Sequence, residues 1–120
     1  MKISFSMPFR LVNLANERSH WGAKARRAKI QREGARLLTH AALFEAGFAW
    51  QQNLKLRITI TRIGKRGMDS DGLAISAKHV RDGIADAIGV DDGDERLRWE
   101  YQQRRGSYGV EVEVAERTMK

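Results

Sequence analysis

Two hydrophobic periodicities divide the chain. Near the start, Ile3, Phe5 and Met7 alternate with polar neighbours, so Met1–Met7 predicts a short strand. Leu54, Leu56, Ile58 and Ile60 alternate in the same way with Lys55, Arg57, Thr59 and Thr61, which predicts a half-buried strand. Gly64-Lys65-Arg66-Gly67 ends it. Toward the C-terminus, Leu97–Gln103 and Tyr108–Ala115 predict a hairpin turning at Arg104–Ser107, with Val110, Val112 and Val114 opposite Glu111 and Glu113. Between these stretches the period is helical. His20–Gly47 is rich in helix formers and has Ser19 as an N-cap candidate. Its first half carries charge and its second half supplies Leu37, Leu38, Ala41 and Phe44 for packing. Gly72–Ile88 predicts a second helix whose Leu73, Ala77, Val80, Ile84, Ala87 and Ile88 fall on one face about 100° wide. The order β-α-β-α-β-β predicts an α+β domain, a small mixed sheet packed with two helices.

Length is consistent with one domain, since 120 residues suit a single core and are too few for two. No repeat or linker interrupts the chain, and the single proline, Pro8, lies in the loop after the first strand. With no cysteine, disulfides, thiolate metal sites and thiol catalysis are excluded. A membrane span needs about 18 uninterrupted apolar residues, and the best stretch, Ala41–Trp50, is cut by Glu45. Polar residues near the N-terminus rule out a signal-peptide core, so a cytoplasmic location is expected.

Charge sharpens the picture. Residues 1–66 hold 14 Lys/Arg against 3 Glu, a net of +11; residues 67–120 hold 8 Lys/Arg against 12 Asp/Glu, a net of −4; together they give the +7 of the whole chain. A basic surface attracts phosphates, whereas clustered carboxylates repel them unless a divalent cation intervenes. The combination points to a phosphate-bearing polymer and a metal.

The chemistry concentrates in Met68-Asp69-Ser70-Asp71-Gly72-Leu73, followed by Lys78, Asp82 and Asp91-Asp92. In extended backbone the Asp-x-Asp spacing directs both carboxylates to one side, a hard oxygen pair suited to Mg²⁺ or Mn²⁺. The competing reading is structural: Asp71 as N-cap of the second helix, Asp91-Asp92-Gly93 as a solvated turn. A helix of about 17 residues spans about 25 Å, so only the fold or a second subunit can bring the two acidic ends together. Lys78 and Asp82 share the helical stripe of Asp71, opposite the apolar face, as an exposed ion pair or as a lysine turned toward a phosphate. Other sites are absent. Gly64-Lys65-Arg66-Gly67 lacks P-loop spacing, Asp69-Ser70-Asp71-Gly72 has Gly where a calcium loop needs its third ligand, and the three histidines lack metal-ligand spacing. Trp21, Trp50, Trp99 and Tyr101 are read as core and interface residues rather than a base-stacking platform.

Asp69-Ser70-Asp71-Gly72-Leu73, Lys78, Arg81-Asp82-Gly83-Ile84 and Val90-Asp91-Asp92, preceded by a loop with Asn13 and Asn16 and a basic helix, resemble the RusA family of Holliday-junction resolvases. The resemblance is specific over residues 65–100. It implies a homodimeric, Mg²⁺- or Mn²⁺-dependent endodeoxyribonuclease that makes paired nicks in four-way DNA junctions. It further implies Asp69, Asp71 and Asp92 as metal ligands with Asp91 beside the last, and Lys78 as the assisting lysine. Two departures stand out: the family has Asn at the position of Gly72, and its lysine one turn after the second aspartate, where this chain has Ile75. Arg26, Arg27, Lys29 and Arg32 of the first helix, with Lys65, Arg66, Arg104 and Arg105, are the expected backbone contacts. Neither a membrane nor an organic cofactor is expected. The rival classes are a non-catalytic DNA-binding protein and a nuclease for other branched or single-stranded nucleic acid.

Overall fold

In the computed structural model, residues 1–13, 21–51 and 53–117 are described, so Asn16, Ser19 and His20 lie outside the described residues. Seven elements follow one another: β1 (Lys2–Met7), α1 (Trp21–Glu45), β2 (Leu56–Gly64), α2 (Ser70–Ser76), α3 (Lys78–Ile88), β3 (Leu97–Arg105) and β4 (Gly109–Glu116). The four strands form one mixed sheet in the order β1-β4-β2-β3. β4 runs antiparallel to both β1 and β2, whereas β2 and β3 are parallel.

The expected hairpin is therefore wrong. β3 and β4 are consecutive in sequence but flank β2, and the link between them passes the end of that strand, where Gly106 N–H donates to the Gly64 carbonyl at 3.2 Å. Alternation fixes which face a residue occupies and is silent on which strand lies alongside. Parallel neighbours need a crossover of a dozen residues or more, and the segment between β2 and β3 supplies it with α2 and α3.

One face of the sheet carries the core. Leu56, Ile58 and Ile60 of β2 lie beside Val110, Val112 and Val114 of β4, all nearly inaccessible to solvent, and Ile3 and Met7 of β1 extend the layer. Val80, Ile84 and Ile88 of α3 pack onto it, as the sequence predicted for those positions. The opposite face is polar and open, lined by Arg57, Thr59, Thr61, Glu100, Gln102 and Glu113.

The second predicted helix is two helices. Ser76 Oγ donates back to the Leu73 carbonyl at 2.7 Å, and the Ala77 N–H is shared at 3.3 Å between the carbonyls of Leu73 and Ala74. Such i−3 back-bonding bends helices, and the ladder restarts at Lys78. The stripe that joined Asp71 to Lys78 and Asp82 assumed an unbroken helix and does not carry across this break. Asp69, rather than Asp71, is the N-cap of α2; Asp71 sits in its first turn.

α1 departs from expectation as well. Its buried stripe is Gln31, Ala35, Thr39 and Leu43, at i,i+4 spacing, while Ile30, Leu37 and Phe44 face outward. The stripe is set by α3, which crosses α1 at Gly83. A Cβ built there would stand 2.3 Å from the Arg32 carbonyl oxygen and 2.7 Å from Ala35 Cβ. Backbone-to-backbone contact of this kind selects small residues on both helices, which is why Ala35 is buried in place of a leucine.

Candidate functional site: an acidic turn beside a basic pocket

The chain leaves β2 at Gly64 and reaches α2 through Lys65–Asp69. Gln103, near the carboxyl end of β3, holds this approach: the Met68 N–H donates to Gln103 Oε1 at 2.9 Å, and Gln103 Nε2 donates to the Met68 carbonyl at 2.7 Å. Asp69 then caps α2 by accepting the Gly72 N–H at Oδ1, 2.7 Å. Its Oδ2 has no partner among the described residues. Asp71 is exposed two positions on. Both carboxylates thus stand at the carboxyl end of a parallel strand pair, where open α/β sheets place their ligand crevices. The glycine that departs from the family pattern has a local cause: a Cβ at Gly72 would lie 2.7 Å from Asn13 Nδ2 and 2.7 Å from Asp69 Oδ1. The first loop therefore packs its Asn13 against the capping turn, a closeness that any side chain at 72 would disturb.

The second acidic turn has other neighbours. The Asp92 carbonyl accepts from Trp99 Nε1 at 2.8 Å and from Arg81 Nη2 at 3.2 Å. Its carboxylate lies 3.2 Å from Arg81 Nε, an ionic contact that misses the hydrogen-bonding direction. Arg81 in turn sits over the Trp99 ring, 4.9 Å from its centroid, and donates to the Tyr101 hydroxyl at 2.9 Å. Asp91 accepts from the Gly93 N–H, and that bond lowers its pKa. Arg96 holds Asp94 bidentately and brings its pKa down to about 2. Trp99 and Gln103 are four residues apart on β3, roughly 13 Å of strand, so the two acidic turns are anchored at different levels of one edge. Among the described residues no group of three or more His, Asp or Glu side chains is close enough to hold a metal ion. Asp69 and Asp71 share one turn; Asp91 and Asp92 share another; Lys78 is exposed at the first position of α3.

The expected DNA contacts divide similarly. Arg32 is held bidentately by Asp86 at 2.8 and 3.1 Å, which raises its pKa, with Asp82 a further 4.0 Å contact; it ties α1 to α3. Arg104 is paired with Glu111 at 2.9 and 2.6 Å. Arg26 and Lys29 are exposed on α1 and Arg27 is half-buried. Lys65, Arg66 and Arg105 are exposed around the turn from β2, with no carboxylate within 4 Å among the described residues.

Three residues of this neighbourhood escaped the sequence reading. Arg62 is buried, at 7 % exposure, on the core face of β2. Arg10 lies 4.1 Å from the centroid of Tyr108, with Lys65 Nζ 6.0 Å from the same ring. Arg62 had a signal: it occupies the apolar phase set by Leu56, Ile58 and Ile60. Arg10 and Tyr108 had none, because they meet only through the fold.

Neither a family model nor a curated protein matches the chain. Among the described residues, no helix is long and apolar enough to cross a membrane.

Proposed function

We propose that this chain is a metal-dependent endodeoxyribonuclease of the RusA type, cutting branched DNA by paired nicks. The observation that carries the reading is the Asp69–Asp71 turn, two exposed carboxylates at the carboxyl end of β2 flanked by Lys65, Arg66 and Arg105. A phosphate drawn to those cations meets carboxylates that would repel it, unless a hard cation stands between them. Mg²⁺ needs only one or two protein carboxylates, completing its shell with water and substrate phosphate, and Asp69 Oδ2 with Asp71 suits that requirement. An ion held there would supply activation of water and neutralisation of developing charge on the phosphate. Asp69 and Asp71 hold and orient; the cap at Gly72 fixes the Asp69 carboxylate, and Gln103 fixes the turn that carries it. Lys78, beyond the break at Ala77 and lining a depression with Arg32 and Asp82, keeps only the assisting role that the resemblance implies. Asp92 contributes as a third oxygen only on release from Arg81, which sets it apart from the other two. Paired cutting implies two copies. Ile30, Leu37 and Phe44 recur every seventh residue along the exposed side of α1, a seam suited to a second copy.

The deciding experiment is Mg²⁺- and Mn²⁺-dependent cleavage of a labelled four-way junction beside matched duplex, with wild type and Asp71→Asn. Symmetric nicks confined to the junction and abolished by the substitution are the expected result. Junction binding with no cleavage under any metal condition moves the protein to the non-catalytic DNA-binding class. Cleavage of flaps or single strands in preference to the junction replaces the substrate and keeps the chemistry. Sedimentation of wild type against Leu37→Asp tests the pairing: the expected shift is from dimer to monomer with the helical signal retained.

A further inference from the structure

Arg62 sits where a strand of this sheet otherwise places leucine and isoleucine, and no carboxylate among the described residues compensates it. Its Nε donates to the Leu11 carbonyl at 3.2 Å and its Nη1 to the Arg66 carbonyl at 2.6 Å, both neutral acceptors. Among the described residues, no acidic side chain lies within 4 Å of its guanidinium. A buried charge of this kind is costly unless its charge is met. The guanidinium carries more N–H donors than two carbonyls occupy, and its fork suits the oxygens of a phosphate. Gly64 leaves the room: a Cβ there would fall 2.8 Å from Arg62 Nη2.

Above this residue lies an open depression of about 490 Å³, lined by Arg10, Asn13, Arg62, Lys65, Arg66 and Tyr108 among others. Among the described residues that line it, four are cationic and none is acidic. Its size exceeds what a bare ion needs and falls within the range of small-ligand sites. Met68 closes one side, and Asp69 follows Met68 directly in the chain. The depression therefore adjoins the acidic turn without sharing its carboxylates.

We infer that this pocket binds one phosphate group, with Arg62 as its buried floor, Arg10, Lys65 and Arg66 as its rim and Tyr108 bracing the rim cations. The phosphate is a backbone phosphate of a DNA strand lying next to the one presented to Asp69 and Asp71. That source rests on the nuclease reading, whereas the pocket itself stands on its own geometry. Lys65 and Arg66 thereby become two walls of a specific subsite rather than parts of a diffuse basic surface.

The test has two arms. In the first, the Arg62 Nε–Hε resonance is followed by NMR as inorganic phosphate is titrated against chloride at matched ionic strength. A saturable shift of that resonance is expected, weakened at least ~10-fold in the Arg10→Gln/Lys65→Gln double variant, whose substitutions lie at exposed positions and leave the buried arginine in place. An Arg62 resonance that stays put through the phosphate titration overturns the pocket, whether or not the protein cuts DNA. In the second arm, binding of a metal-free four-way junction is measured as a function of salt. Lys65→Gln is expected to reduce the log–log slope by about one, the signature of one lost phosphate contact. Phosphate binding with an unchanged slope overturns the DNA source and assigns the pocket to a free phosphorylated small molecule. Absence of cleavage bears on neither arm, so failure of the nuclease reading and failure of the pocket are separately visible.

Discussion

The turns at Asp69–Asp71 and Asp91–Asp94 are both short, acidic and glycine-bearing, and both adjoin a helix end. Their surroundings differ. The first presents its carboxylates to solvent beside cations with no acidic partner among the described residues, held in place through backbone groups at Met68 and Gly72. The second has its side chains and its Asp92 carbonyl tied to Arg81, Arg96 and Trp99. An acidic cluster with its own arginines is a structural clasp; one whose neighbouring arginines are left to other anions can receive a ligand. Aspartate count alone does not separate them.

That contrast can be broken most sharply by paired substitution. Asp71→Asn is expected to lower junction cleavage at least ~100-fold with the fold intact, whereas Asp92→Asn lowers it about ten-fold, as measured by single-turnover rates. Equal losses would mean that Asp92 leaves Arg81 during the reaction and that the two turns form one site. Next in size is Gly83→Ala. It drives a methyl into the Arg32 carbonyl and Ala35, so a destabilisation of about 1–3 kcal/mol is expected in chemical denaturation. The effect falls on α3 and the turn after it, leaving the Met68–Gln103 clamp outside the disturbance. Arg81→Gln is a milder probe: by releasing Asp92 it should change cleavage less than ten-fold while altering the environment of Trp99, readable by its fluorescence.

The smallest effect is a titration. Arg96 depresses the Asp94 pKa to about 2 from an ordinary value of 3.8, so the interaction favours the folded state at pH above about 4 and is lost as pH falls toward 2. In Arg96→Gln the Asp94 pKa should rise toward its ordinary value while the backbone N–H of residue 96 still lowers it, followed by carboxyl NMR. His79 has the same sign on a different group. Burial lowers its pKa, so its neutral form favours the fold, and that contribution fades as pH drops from its unfolded value through the folded one.

Much of the fold was legible because burial and period agree. Val110, Val112 and Val114 read as a strand face and are one; Val80, Ile84 and Ile88 read as a helix face and are one. What failed were relations between elements. Nothing in an alternating pattern chooses β2 over β4 as the neighbour of β3. The break at Ala77 depends on which acceptor the Ser76 hydroxyl takes, and the outward Leu37 and Phe44 depend on where α3 crosses α1. Of the candidate site, the Asp69–Asp71 pair was visible as a motif, while Arg62 left a signal that went unread, a charge in the buried phase of β2. The division of the aspartates between two anchorages was not, since it is decided by Arg81 and Gln103 reaching across from other elements.

The sheet order also bears on how the chain is made. β4, the last of these four strands to leave the ribosome, is an interior strand that joins β1 on one side to β2 on the other. Until it is synthesised, β1 has no partner and the apolar edge of β2 stands open, so the growing polypeptide holds sticky half-sheets that cannot seal. Assembly must end with insertion rather than addition, a route of high contact order that favours slow closure and dependence on chaperones under stress.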